Sequence, residues 1–212
     1  ELIDHGYFIY GWRQVPVDTS VIGKKANMTR PDIEQVMFVN NKERVEDEDL
    51  DKELFLIRRR IEKRILNLQI SEFYICSLSF KSVIYKGLFL AEELEVFYPD
   101  LQNENFISSF AIFHQRYSTN TFPSWALAQP FRTLAHNGEI NTIKGNINWM
   151  KIHEQDMNSK YFPEIDSLKP VISQGSSDSA ALDNVFELLV RSGKSAPLAK
   201  LMLIPDAWSK RR

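Results

Sequence analysis

A long amphipathic helix is the sequence feature that most constrains how this 212-residue chain can fold. Apolar residues recur every three or four positions from Leu50 to Leu68, a spacing that predicts a helix with one buried stripe. The stripe consists of Leu50, Leu54, Ile57, Ile61, Ile65 and Leu68. This segment therefore belongs to a packed core and not to a linker.

The residues around the apolar stripe are strongly charged. An acidic run at 46–49 predicts a solvated turn leading into the helix, because acidic side chains favour a helix N-terminus. The face opposite the stripe carries Lys52, Arg58, Arg59, Lys63 and Arg64. Such a face either lies in solvent or binds phosphate. Its interruption by Glu53 and Glu62, without interleaved aromatic residues, favours the solvated face.

Several short segments have the apolar and β-branched composition of strands. They cover residues 7–10, 36–39, 73–79, 82–87, 108–118 and 131–136. Helices are predicted at 88–98, which Pro99 ends, at 140–157 and at Asp178–Arg191, whereas 198–204 fits either a strand or a helix. Strands mixed with helices predict a layered α/β or α+β domain, and the many adjacent short strands favour antiparallel pairing.

Composition and charge exclude several classes of function. Hydrophobic residues make up 43% and charged residues 25% of the chain, and the formal net charge is -2. These values are typical of a globular protein without a nucleic-acid or membrane partner, and no apolar run reaches the about 18–20 residues of a membrane span. The one cysteine, Cys76, excludes an internal disulfide and fits a reducing compartment, and the four scattered histidines predict no metal site.

Arg116 is the first candidate for a functional role. It follows an apolar segment, on the same face of the predicted strand as His114. A buried guanidinium needs a partner, and that partner is either a structural carboxylate of the chain or the carboxylate of a substrate. The local sequence favours the structural ion pair.

Two further segments each allow a structural and a functional interpretation. Asn137 and Gly138 follow a predicted strand, where an Asn-Gly pair most often forms a tight turn. The alternative is an oxyanion hole, because the Asn amide and the Gly N–H can point at one developing negative charge. Asp178 opens a predicted helix, where it or Ser177 caps the helix or where its carboxylate holds a substrate ammonium group.

In chain order these segments resemble a known family. The motifs are HQRYSTNTFP at 114–123, LAQPFR at 127–132, LAHNGEINT at 134–142 and SDSAALDN at 177–184, with GWRQVPV at 11–17 and MLIPDAW at 202–208. Together they resemble the class II glutamine amidotransferase domain of the glutamate synthase family. The long match from His114 to Trp149 is specific, since other class II amidotransferases share only the short Arg, Asn-Gly and Asp signatures.

The resemblance implies a fold and a mechanism. The fold would be α+β, a four-layer α/β/β/α sandwich of the N-terminal nucleophile hydrolase type with antiparallel sheets, formed by residues 1–212 as a single domain that is incomplete at its N-terminus. In the mechanism, a free N-terminal cysteine attacks the side-chain amide of glutamine, with its own amino group as the base. Ammonia leaves, and water hydrolyses the thioester to glutamate.

The resemblance also implies the roles of particular residues. Arg116 would bind the α-carboxylate of glutamine and Asp178 its α-ammonium group. His136 and Thr119 would join them in binding the substrate. The oxyanion hole would consist of the Asn137 side chain and the Gly138 backbone N–H. No metal ligands are implied.

The nucleophile is where the sequence departs from the family. Glu1 stands at the first position, so the chain is expected to be a fragment that begins inside the domain and is inactive alone. Cys76 is not expected to replace the missing thiol, because no local feature would lower its pKa. A small, mostly buried residue in the middle of a strand is the interpretation we favour for it.

The complete protein implied by the resemblance is a cytoplasmic or plastid-stromal glutamate synthase. It would pass ammonia to a synthase site that aminates 2-oxoglutarate, using FMN, an iron–sulfur cluster and ferredoxin or an NAD(P)H-linked subunit as electron donor, although no cofactor is implied for this fragment. Two alternatives remain open at this point. One is a non-catalytic glutamine-binding module, and the other is an amidotransferase domain that serves a different acceptor.

Overall fold

The predicted amphipathic helix is present as α2, Asp47–Asn67. The computed structural model describes residues 1–41, 46–117, 122–138, 140, 143–173 and 175–204, which form two compact units, Glu1–Pro130 and Phe131–Arg212. The first unit contains strand β1 at Tyr7–Gln14 and strand β2 at Glu34–Asn40. Helices together with an antiparallel sheet confirm the α+β class.

The two strands pair with each other, and one face of the pair packs on α2. They are antiparallel, with Tyr7 opposite Asn40 and an irregularity of register between Ile9 and Gly11. Leu54 and Ile57 of the α2 stripe are fully buried against this face, in a cluster that also contains Leu2 and Tyr7. The Tyr7 hydroxyl donates to Glu53 Oε2 at 2.9 Å, and burial together with this carboxylate raises the pKa of Tyr7. The buried stripe predicted from the sequence is thus confirmed at its centre.

Two arginines of α2 do not lie on a solvated face. Arg58 and Arg59 are only 2% and 8% exposed, and both pair with Glu62, at 2.6 and 2.7 Å. The prediction of a fully solvated basic face is wrong here, because Arg58 follows Leu54 by four positions and so borders the buried stripe. Long arginine stems can be buried when their charged ends are paired. The phosphate-binding interpretation is weakened, because two of the cations on which it depended, Arg58 and Arg59, are buried and paired with Glu62.

The first unit also contains several short helical segments, most of which lie around an aromatic cluster. They are helix α1 at Lys24–Met28, helix α3 at Leu94–Phe97 and 3-10 turns at Ile3–His5, Thr19–Val21, Ala91–Glu93 and Pro99–Gln102. Phe97, Tyr98 and Trp125 are buried in this cluster. As predicted, the helical segment after residue 88 ends before Pro99, although it is shorter than the predicted 88–98.

Three of the predicted strands are not regular strands. Residues 73–79, 82–87 and 131–136, all of them described, have no sheet partner, and the described residues of 108–118 form no strand either. Side-chain contacts organise part of this backbone instead. The buried Lys86 ammonium donates to the carbonyl oxygens of Ala126 and Ala128 at 2.7 and 2.8 Å. Strand-like composition therefore overestimates the sheet content here.

The second unit contains three helices among its described residues. They are α4 at Ile143–Asp156, α5 at Asp178–Arg191 and α6 at Ala196–Leu203, with a 3-10 turn at Ile165–Leu168. The bounds of α5 match the prediction, those of α4 lie within it, and the undecided segment at 198–204 is largely helix. Helices α5 and α6 pack together, with Leu188 and Ala199 buried. Among the described helices, none is both long and apolar enough to cross a membrane.

A polar network holds the end of β1 to the turn at Pro99–Gln102. Arg13 forms an ion pair with Asp100, and the Tyr85 hydroxyl donates to the other Asp100 oxygen at 2.8 Å. Burial acts to raise the pKa of Asp100, but the hydrogen bonds from Arg13 and Tyr85 outweigh it and lower that pKa. The ionised carboxylate is therefore the form that stabilises this part of the fold.

Asp100→Asn should lower the free energy of unfolding by about 1 kcal/mol at pH 7, because it removes a charged acceptor that is mostly shielded from solvent. The folded-state pKa is depressed, so the effect is fully present above the unfolded-state pKa of about 3.9 and fades as the pH falls through the folded value. Urea denaturation of the two forms at pH 7 and pH 3 measures this. The exposed Asp32→Asn is the control, and equal stabilities of wild type and Asp100→Asn at pH 7 would contradict the role of the network.

Candidate active site

The N-terminus of α5 carries the predicted ammonium-binding carboxylate, Asp178. The cap of this helix is the neighbouring Ser177, which is 1% exposed and whose Oγ accepts from the Ala180 N–H at 3.1 Å. The Asp178 carboxylate instead accepts from the N–H and hydroxyl of Ser179, at 2.6 and 3.2 Å. Of the two candidate caps, Ser177 thus has the capping role, and Asp178 is half-buried at the positive end of the helix dipole.

His136 lies next to Asp178 through the Ser179 hydroxyl. Its Nε2 is 2.9 Å from Ser179 Oγ, so the imidazole, the hydroxyl and the Asp178 carboxylate form a chain of hydrogen bonds. When the hydroxyl donates to Asp178, its oxygen accepts from His136, which places a proton on Nε2. Two of the predicted substrate-binding residues, His136 and Asp178, are therefore connected by one side chain.

Asn137 and Gly138 are exposed directly after His136. Neither has the positive φ that both central residues of a tight type I′ hairpin turn require. A Cβ on Gly138 would meet no atom within 4 Å, so the protein itself leaves open space beside this backbone. Asn137 and Gly138 therefore do not form a type I′ turn, and the space beside Gly138 could hold a ligand.

The segment just before these donors is tied to the middle of α5. Asp183 is 1% exposed and accepts from the backbone N–H groups of Arg132, Thr133 and Leu134, at 3.2, 2.8 and 2.9 Å. The Thr133 hydroxyl donates to the same carboxylate at 2.7 Å. A buried carboxylate with this many donors replaces the ladder hydrogen bonds of the strand predicted at 131–136.

Arg116, the predicted carboxylate clamp, lies in the first unit. It is exposed, and its backbone N–H donates to His114 Nδ1 at 3.2 Å. No residue within the described part of the chain forms an ion pair or a hydrogen bond with its guanidinium. The structural ion pair favoured by the local sequence is therefore not observed there. The neighbouring Tyr117 is anchored to Ser124, whose N–H donates to the Tyr117 hydroxyl at 2.9 Å.

Thr119 and Cys76 are the remaining residues with a sequence-based prediction. Thr119 lies outside the described residues, so its predicted role is untouched. Cys76 is half-exposed in an irregular segment, not mostly buried in a strand as expected, because residues 73–79 do not pair in a sheet. No group of three or more potential metal ligands occurs among the described residues.

Ser179 and Asp183 are two polar residues for which the sequence alone predicts no role. Both lie in the SDSAALDN motif, and their spacing of four residues puts them on one face of α5. Polar residues at this spacing within a largely buried helix, beside Ala180 and Ala181, are a signal that they have buried partners. The partners themselves lie 43 to 51 residues away and leave no trace in the local sequence.

Comparison with known proteins agrees with the motifs. Residues 1–212 match the family described as glutamine amidotransferases class-II. The chain is 61% identical to the glutamate synthase [NADPH] large chain of Azospirillum brasilense over 208 residues, which are 98% of the chain and 14% of that protein. It is 46% identical to the chloroplastic ferredoxin-dependent glutamate synthase of Spinacia oleracea over 96% of the chain and 13% of that protein.

These matches define the class of protein. They agree with the site, in which a carboxylate at a helix N-terminus is connected to the segment that carries an exposed Asn-Gly pair. The chain belongs to the class II glutamine amidotransferase family, which confirms the resemblance of its motifs. Its relatives are glutamate synthases, including ferredoxin-dependent glutamate synthase 2 of Synechocystis, 43% identical over 94% of the chain and 13% of that protein. The chain thus spans only 13% to 14% of the length of these relatives.

Gly138→Ala should leave the free energy of unfolding unchanged or raise it by up to about 1 kcal/mol, because the added methyl group has space and no positive φ is involved. Gly193→Ala is the matched control. Gly193 has a φ of +84 and a Cβ there would lie 2.9 Å from the Tyr161 ring, so this variant should lose about 1–2 kcal/mol. Urea denaturation of both variants checks the contrast, and a loss of more than about 1 kcal/mol in Gly138→Ala would show that the fold itself requires this glycine.

Proposed function

We propose that this chain is the glutaminase part of a glutamate synthase. As part of the complete protein, it hydrolyses L-glutamine to glutamate and ammonia, and the ammonia passes to a synthase site that aminates 2-oxoglutarate. The observation that carries this proposal is the family match over all 212 residues, with glutamate synthases as the relatives. The names of these relatives favour 2-oxoglutarate over another ammonia acceptor.

In this proposal, two opposite charges orient the amino-acid end of glutamine. Arg116 binds the α-carboxylate, for which the planar guanidinium offers paired donors. Asp178 binds the α-ammonium group with a carboxylate that is half-buried and held by Ser179. The exposed Arg116 guanidinium, with no partner among the described residues, supports its assignment to a ligand.

The oxyanion donors act on the other end of the substrate. Attack on the side-chain amide converts its carbonyl oxygen into an oxyanion, which the Asn137 side-chain amide and the Gly138 N–H would stabilise. The open space beside Gly138 supports this role, since a substrate oxygen has to approach the backbone closely. Loss of one such donor typically lowers the rate by about 10²–10³.

His136 and Thr119 are proposed as additional substrate-binding residues. His136 is connected through Ser179 to Asp178, which supports a role in orienting the carboxylate that receives the ammonium group. The nucleophile is proposed to be an N-terminal cysteine of the complete protein, with its amino group as base. Cys76 is not assigned this role.

The four-layer α/β/β/α sandwich of the N-terminal nucleophile hydrolases remains our proposal for the complete domain, as does the grouping of residues 1–212 into one domain. The family match over the whole chain supports both. The antiparallel pair β1–β2, with α2 packed on one face, supports this proposal, because it could form one sheet layer and one helix layer of such a sandwich.

For the complete protein we propose FMN and an iron–sulfur cluster, held outside these residues. The chain has a single cysteine, whereas an iron–sulfur cluster requires several thiolate ligands, so this part does not fit the cluster. The electron donor would be ferredoxin or an NAD(P)H-linked subunit, and the higher identity to the NADPH-named relative favours the nicotinamide nucleotide. Cytoplasm or plastid stroma is the proposed location.

Arg116→Ala in the complete protein should raise the glutamine KM by about 10- to 100-fold, because it removes charge-assisted hydrogen bonds worth about 1.5–3 kcal/mol. Synthesis of glutamate from free ammonia should not change, since ammonia bypasses the glutamine site. Steady-state assays with glutamine and with ammonium as nitrogen sources measure both values.

Arg64→Ala is the matched control for this variant, because Arg64 is an exposed arginine near the end of α2. It should leave the kinetics with both nitrogen sources unchanged. An unaltered glutamine KM in Arg116→Ala, with ammonia-dependent synthesis intact, would remove Arg116 from the proposed site.

A further inference from the structure

Asp183 is the most completely enclosed ionisable side chain among the described residues that the family motifs leave without a role. It is 1% exposed, near the second turn of α5. An ionised carboxylate in such a place is very unfavourable unless donors surround it. Here the backbone N–H groups of residues 132–134 donate hydrogen bonds to the carboxylate. This segment is followed within a few residues by Asn137 and Gly138, the proposed oxyanion donors.

We propose that Asp183 is a positioning residue for the oxyanion hole. Its carboxylate fixes residues 132–134, and through them it sets where Asn137 and Gly138 stand. Together with Ser179 it forms a two-point attachment on one face of α5, which we call the α5 clamp. The inference rests on the proposed glutaminase function.

The first attachment of the α5 clamp is strong and directional. Oδ1 of Asp183 accepts from the N–H and hydroxyl of Thr133 and the N–H of Leu134, and Oδ2 accepts from the N–H of Arg132. Hydrogen bonds to an ionised acceptor are roughly twice as strong as neutral ones. Since three consecutive N–H groups converge on one carboxylate, the backbone of this segment has little freedom to rotate.

The second attachment lies two residues further along the chain. His136 Nε2 contacts the Ser179 hydroxyl at 2.9 Å, one helical turn before Asp183. Asn137 and Gly138 come directly after His136, and both are exposed. The donors are thus held from one side by a rigid helix while their other side remains open, which is the arrangement that a preorganised oxyanion hole needs.

The alternative is that Asp183 only stabilises the fold. Both roles predict a less stable variant, so stability alone does not separate them. The two roles predict different glutaminase rates at each correctly folded site. Only the positioning role predicts a lower rate, because a shift of about 1 Å in a catalytic group can lower the rate by about 10²-fold without loss of binding. The decisive quantity is therefore kcat per site that still binds a ligand.

The test uses the complete protein with Asp183→Asn, Asp183→Ala and the milder Thr133→Val. Asp183→Asn keeps one acceptor oxygen but places an NH₂ donor opposite the Arg132 N–H. Asp183→Ala removes both acceptor oxygens, whereas Thr133→Val removes only the Thr133 hydroxyl. Calorimetric titration with L-glutamate counts the sites, and glutaminase rates are divided by that number. Hydrogen–deuterium exchange of the peptide spanning residues 131–138 follows the backbone.

The expected result for Asp183→Asn is a fall in kcat per site of about 10- to 100-fold, approaching that of Asn137→Ala, with the Kd for glutamate within about twofold of wild type. Asp183→Ala should lose more, and Thr133→Val about two- to fivefold. Exchange should increase in the 131–138 peptide. If the Asp183 variants do not fold, Thr133→Val decides alone.

Leu188→Ala is the matched control, because Leu188 is a buried residue of the same helix that makes no hydrogen bond to residues 132–138 through its apolar side chain. It should lower Tm but keep kcat per site. A normal kcat per site in every folded Asp183 or Thr133 variant, or an equal loss in Leu188→Ala, would overturn the inference. Absence of glutaminase activity in the wild-type protein would instead overturn the proposed function, and the inference with it.

Discussion

The buried carboxylate of Asp183 is the interaction on which the candidate site of the second unit depends. A carboxylate that is 1% exposed requires several donors, and here the backbone of residues 132–134 provides them. The same helix brings Asp178 to its N-terminus and Ser179 to His136. One helix thus holds the proposed ammonium-binding carboxylate and the chain segment that carries the proposed oxyanion donors.

The sequence predicted the helices better than the sheet, for a physical reason. The periodicity of α2 and the cap and apolar spacing of α5 are local signals, so both helices are found close to their predicted positions. The strand composition of residues 73–87 and 131–136 was equally clear, yet these segments bond elsewhere. Lys86 and Asp183 are paired with carbonyl and N–H groups about 40 to 50 residues away, and such pairing is invisible in a local pattern.

The candidate site was likewise only partly predictable from the local sequence. Taken one at a time, Arg116, Asn137 and Asp178 could each be explained by a structural role. The order of the motifs along the chain was what identified the family. The structure then removed the alternatives for particular residues. Ser177 caps α5 in place of Asp178, and Asn137 and Gly138 lack the positive φ that a type I′ turn requires. The α5 clamp could not be predicted, because it depends on which sequence-distant backbone segment packs against the helix.

We propose above all that nitrogen from the glutamine side chain reaches 2-oxoglutarate in the complete protein. The most direct measurement supplies the complete protein with glutamine labelled with ¹⁵N in its amide, together with 2-oxoglutarate, a reductant and unlabelled ammonium at low concentration. Mass spectrometry of the product glutamate then reports the fate of the label. We predict ¹⁵N in the amino group of the glutamate formed from 2-oxoglutarate, and label that stays in glutamine would contradict the proposal.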